Sequence, residues 1–196
     1  MASAPVPQEP LTLEEVKGNL RVDTDGEDGL LGGLIVAARE FVEEATGLVL
    51  TRRAITETAR ELGRWIDLAS WPVASIAAIR VPTATGYVPL SALAWAVSFS
   101  RRPVRVIPTS WNWAGMYAPV SPGMQHYAAT PPVEIDVIAG YETPDEVPVR
   151  AKQAMHLLIA HWYTNRLAVE SGARAAAVEI PIGVATIVRQ LRLERI

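Results

Sequence analysis

The stretch Pro148–Leu167, PVRAKQAMHLLIAHWYTNRL, decides how the chain is read. Its apolar residues Ala151, Ala154, Met155, Leu158, Ile159, Trp162 and Tyr163 recur in the three-and-four rhythm of one helix face. Arg150, Lys152, Gln153, Asn165 and Arg166 mostly fall off that face. Pro148 sits where a missing N–H costs little, and Asp145 and Glu146 lie just upstream, where negative charge favours a helix N-terminus. Each large apolar side chain is worth about 1.5–3 kcal/mol when fully buried. A helix this apolar needs a partner surface, and the rest of the chain must supply it.

The partner is predicted at the other end of the chain. Glu27–Thr46 places Leu30, Leu31, Leu34, Ile35, Ala38, Phe41, Val42 and Ala45 along one side. Gly47 follows as a left-handed stop. Gly29, Gly32 and Gly33 are expected to allow close backbone approach near its start. Leu30, Leu34, Phe41, Leu158 and Trp162 are the predicted contacts of a helix pair about 8–10 Å apart. Upstream, Thr12 and Glu15 have capping-box spacing before the short apolar face of Leu13, Val16 and Leu20. The acidic turn at 22–28 lacks the alternation of a calcium loop, so Asp25 is read as a helix N-cap. GLLGG is not followed by Gly-Lys-Ser/Thr and is no phosphate loop.

Between the helices the rhythm changes. Strand-like segments recur at 49–58, 64–68, 75–81, 87–90, 95–99, 102–107 and 133–138, separated by Pro72, Pro82, Gly86, Pro89, Pro103 and Pro108. Val133-Glu134-Ile135-Asp136-Val137 alternates cleanly. The expected fold is α+β: N- and C-terminal helices forming a helical core, residues 11–47 and 144–170, around a β-rich antiparallel insertion at 48–143. Residues 1–10 are a Pro-rich leader, read either as a frayed terminus or as an arm that orders on a neighbour.

Residues 108–132 form a long loop rich in aromatic and Met side chains, including Trp111, Trp113, Met116, Tyr117 and Tyr127. Loops of that length in compact domains are functional or disordered, and this composition argues against disorder. Its side chains either contact a neighbour or fold back over the sheet edge. Arg101, Arg102 and Arg105 make either a basic patch or a solvated strand face. Residues 171–196 form a C-terminal arm: an Ala-rich run, a break at Ile180–Gly183, then apolar Val184, Ile187, Val188 and Leu191 with Arg189, Arg192 and Arg195 three apart. That last piece is either a solvated helix end or a docking element.

Composition narrows the function classes. The chain has 196 residues, 49% hydrophobic and 20% charged, which marks a globular protein of one domain, or of one core with a sizeable insertion. A net charge of -3 argues against tight, sequence-independent grip on duplex DNA. With no cysteine, thiolate metal sites and Cys nucleophiles are excluded. No apolar run approaches the ~20 residues of a membrane span, and the N-terminus has no signal-peptide pattern. His156 and His161, about 140° apart on one helix, suit a shared metal poorly; His126 stands alone. No nucleophile elbow or dinucleotide fingerprint is present, so no catalytic residue, metal or cofactor is assigned.

The two ends carry a resemblance. LTLEEVKGNLRVD with DGEDGLLGGLIVAAREFVEEATG, and VPVRAKQAMHLLIAHWYTNRLAV followed by EIPIGV, are similar to the opening and close of the head–tail connector (adaptor) proteins of tailed phages, prophages and gene transfer agents. The resemblance covers both ends and the middle in outline. It implies a non-enzymatic virion protein at the head–tail junction, synthesised in the bacterial cytoplasm. It also implies a homo-oligomeric ring, commonly of twelve copies, beneath the portal protein. Such a ring extends the DNA channel, lets double-stranded DNA pass without specific binding, and supports the next connector (stopper) or tail protein. By that analogy Val184, Ile187, Val188, Arg189, Leu191, Arg192, Arg195 and Ile196 dock on the portal. The aromatic-loop residues are then candidates for contacts between subunits or neighbours. The modest negative charge suits a channel wall that must not hold passing phosphates. The alternative is a non-catalytic binding module that uses the β insertion and its aromatic loop to hold a carbohydrate or peptide.

Overall fold

Thr12 and Glu15 start the first helix in the computed structural model of the chain. The Glu15 N–H donates to Thr12 Oγ1 at 3.2 Å and the Thr12 N–H to Glu15 Oε2 at 2.7 Å. The structure describes residues 8–83, 86–109, 132–170 and 181–192, the side chains of 166–170 excepted. Contacts divide it into two compact units, one holding the residues up to Arg52 and those from Tyr141 onward, the other spanning Arg53–Gly140.

The first unit is helical. Helix α1 (Leu13–Leu20) closes on left-handed Arg21, and α2 (Asp28–Thr46) ends at Gly47, φ 75°, whose N–H reaches the Glu43 carbonyl. Helix α3 (Val149–Glu170) and helix α4 (Ile182–Leu191) complete it. In α2 the buried line is Leu31, Ile35, Ala38 and Val42; in α3 it is Ala151, Ala154, Met155, Leu158 and Ile159. These two lines close on each other. Phe41 meets Trp162 edge-on at 6.3 Å, and the Tyr163 hydroxyl donates to Glu27. The two apolar faces that lie far apart in sequence therefore share one core.

Several details depart from expectation. Leu30 is 43% exposed. The buried line of α2 is centred on Leu31, which turns the preceding residue about 100° toward solvent. Asp25 does not cap α2; Glu27 is the N-cap, with no capping bond from its side chain, and the Asp25 carboxylate instead takes the Lys17 ammonium at 2.7 Å. Gly29, Gly32 and Gly33 bring no backbone close, since a Cβ at any of them would meet nothing within 4 Å. Residues 182–191, read from the sequence as a last helical piece or arm, form a helix packed on α3 and α2, with Val184 0% exposed.

The second unit contains two antiparallel sheets. Strands β1 (Arg53–Ala59), β7 (Val133–Ala139), β3 (Val73–Thr83) and β4 (Gly86–Pro89) lie side by side in that order. Strands β2 (Ile66–Asp67), β6 (Arg105–Pro108) and β5 (Trp95–Ser98) form the other sheet. Strand β7 has the alternating burial its sequence announces: Val133, Ile135, Val137 and Ala139 are buried, and Glu134 and Asp136 lie on the other face. There both acids receive Arg80 from β3, each at 2.9 Å. Arg53 pairs with Ala139, so the strands that enter and leave this unit are neighbours. Two chain connections at one place let the unit be inserted between α2 and α3 in sequence while keeping its own core.

Candidate interaction surfaces

The apolar surface not used by the cores identifies where partners can sit. On the helical unit, α3 carries a second face. Val149 is 79% exposed and Leu157 38% exposed. With Asn19, Lys152, Gln153, His156 and Ala160 they line an open groove of about 480 Å³. Sequence reasoning missed this face, although Val149, Gln153, Leu157 and Ala160 repeat at helical spacing opposite the buried line. His156 Nδ1 is buried there without a hydrogen-bond partner, and burial holds its imidazole below the ordinary pKa. His161 does not join it; its carbonyl accepts from Asn165 Nδ2 at 2.8 Å. Among the described residues no group of three His, Asp or Glu side chains could hold a metal ion, and no helix is long and apolar enough to cross a membrane.

The residues expected to dock on the portal do not form one continuous face. Val184 is buried; Ile187, Val188 and Leu191 are half-buried; Arg189 and Arg192 are exposed. Arg192 is the C-cap of α4; its N–H donates to the Val188 carbonyl and its φ of -58° is helical, so it keeps the three-residue spacing from Arg189, and its ψ of 137° turns only the chain beyond it. Arg195 and Ile196 lie outside the described residues, as do Trp111, Trp113, Met116, Tyr117 and Tyr127. Ile182 is 86% exposed at the start of α4.

In the β unit, Arg102 and Arg105 take separate partners. Arg105 binds Asp67 through two bonds, at 2.6 and 2.7 Å, and lies 4.3 Å over the Trp65 ring. The Arg105 guanidinium holds the Asp67 carboxyl below its usual range. Arg102 stacks on Trp71 at 5.7 Å. Arg105 is thus committed to an internal ion pair. The pairing of β2 with β6 sets Asp67 opposite Arg105.

Comparisons with known proteins bear on the whole arrangement. The sequence model of the family described as Phage gp6-like head-tail connector protein matches residues 10–68. No match was found among the curated proteins. Among solved structures, a chain of "Neck of empty GTA particle computed with C6 symmetry" is 27% identical with a TM-score of 0.69, covering 99% of this chain and 95% of that one. A chain of "Virion of native gene transfer agent (GTA) particle" is 27% identical with a TM-score of 0.66, covering 98% and 94%. A chain of "Neck of native GTA particle computed with C12 symmetry" is 24% identical with a TM-score of 0.58 and shares the fold over 97% of both chains. The resemblance to the head–tail connector proteins of tailed phages and gene transfer agents, read from the two ends of the sequence, is therefore borne out by both kinds of comparison.

Proposed function

We propose that this chain is the structural subunit of a connector ring at the head–tail junction of a phage-like particle. Copies sit beneath the portal protein, extend the DNA channel and present a platform to the next connector or tail protein. The observation that carries this reading is the likeness, over 99% of the chain, to a subunit from the neck of a gene transfer agent particle. The C6 and C12 symmetries of the matched necks support a rotational ring. A net charge of -3 supports a wall past which DNA moves without being held. In this reading α4, with exposed Arg189, Arg192 and Ile182 at its surface, faces the portal, and the aromatic residues of 108–132 meet neighbouring subunits.

Electron microscopy of the purified full chain mixed with the portal protein tests the proposal. The expected images show a ring stacked on the portal with a continuous axial channel. A chain that stays monomeric and leaves the portal undecorated would overturn it.

A further inference from the structure

The helical unit has two uncovered helix faces. In α2, Gly33, Val36, Ala37, Glu40 and Glu44 are all exposed and lie opposite the buried line of Leu31, Ile35, Ala38 and Val42. In α3, Val149, Gln153 and Leu157 are exposed opposite the buried line of Ala154, Met155 and Leu158. Because α2 and α3 pack through their buried lines, their outer faces point in opposite directions. Helices α1 and α4 each lie against both, so they flank the pair and leave both outer faces open.

The two faces differ in shape and charge. The α2 face is a narrow ridge, with open space above the Gly33 Cα. The α3 face is the groove of about 480 Å³, bounded by Asn19 of α1 on one side. At its other side α4 comes close, for a methyl on Gly183 would lie 3.6 Å from Leu157 Cδ1. The ridge is acidic at its C-terminal half, through Glu40 and Glu44. The groove carries a positive charge at its N-terminal half through Lys152, which feels the Glu15 carboxylate of α1 but makes no direct ion pair among the described residues.

We propose that the α2 ridge of one copy seats in the α3 groove of the next, with the helices antiparallel and Glu44 facing Lys152. This rests on the ring reading above and names its subunit contact. Two unlike patches on opposite sides of a unit make a head-to-tail contact, which closes into a ring when the rotation allows. Gly33 and Ala37 let the helix axes approach closely, and Val36 enters the apolar part of the groove. The antiparallel direction follows from charge: a parallel helix would carry Glu44 toward Thr164, away from Lys152.

The absence of cysteine makes the test direct. A full chain carrying Glu44→Cys and Gln153→Cys is treated with a short bismaleimide, alone and with the portal protein. The expected result is a ladder of covalent multimers, with neither single variant linking to itself. Lys152→Glu should weaken self-association about tenfold or more, and adding Glu44→Lys should restore it. Circular dichroism checks that these surface variants fold. Rings that form without any ladder, or a charge swap that restores nothing, would overturn this contact while leaving the ring intact. No ring in either mixture would overturn the ring reading, and this contact with it.

Discussion

Leu158 is 1% exposed, at the centre of the α2–α3 contact. Leu158→Ala should cost about 2–5 kcal/mol in urea denaturation, through lost burial and the cavity left behind. Leu158→Asp adds an unpaired buried charge and should leave no folded subunit at 25 °C. An unchanged midpoint for either would show that the site is not core. Glu43 is a different kind of buried residue. It accepts the Leu50 N–H at 2.6 Å and pairs with Arg39 at 3.0 Å while only 9% exposed. Glu43→Ala strands the Leu50 N–H and leaves Arg39 with Glu9 and Glu40 only, and should cost about 1–3 kcal/mol; Glu43→Gln, which still accepts from Leu50, should cost less. His156 links stability to pH. Its folded pKa lies below the ordinary 6.5 because the neutral ring is partly buried. The unfolded chain therefore takes up the proton first. Stability is fully present above 6.5 and declines as pH falls through the folded value. His156→Asn should flatten thermal midpoints through that window. The lowered pKa of Glu15 places its own contribution in a separate, more acidic range, present above 4.5 and lost below it.

Among the elements, α2, α3 and the strands were legible because burial imposes a period. Strand β7 alternates with period two because one of its faces is packed, and α3 repeats at three and four because one stripe is. Rotation about the helix axis was less legible. Leu30 and Leu31 are equally apolar, and only packing against α3 decides which of them turns inward. The outer face of α3 went unread because Leu157 and Ala160 blend into an already apolar run. Asp25 was misread because a short acidic turn offers both caps and ion-pair partners, and Lys17, eight residues upstream, won. For α4 the sequence leaves a helical piece or an arm open, and the structure shows a helix whose Val184 is fully buried. Truncation before Ile182 should therefore lower stability by at least about 2 kcal/mol in chemical denaturation, through loss of that burial. A truncated chain as stable as the full one would show α4 to be only loosely docked.

At the scale of the whole molecule, each unit has its own buried residues: Leu31, Met155, Leu158 and Val184 in the helical one, Ile79, Val106, Ile135 and Val137 in the β one. The apolar surface left on α2, α3 and α4 exceeds what either fold needs and suits assembly. Function was legible only through the paired motifs at the two ends, since no residue constellation carries chemistry that names a role. The central claim is that copies of this chain close into a ring on a portal. Native mass spectrometry of the full chain with portal protein tests it most directly. The account predicts one discrete complex, a portal ring carrying a fixed integer set of this subunit. A spectrum containing only free subunit and bare portal at every mixing ratio would contradict it.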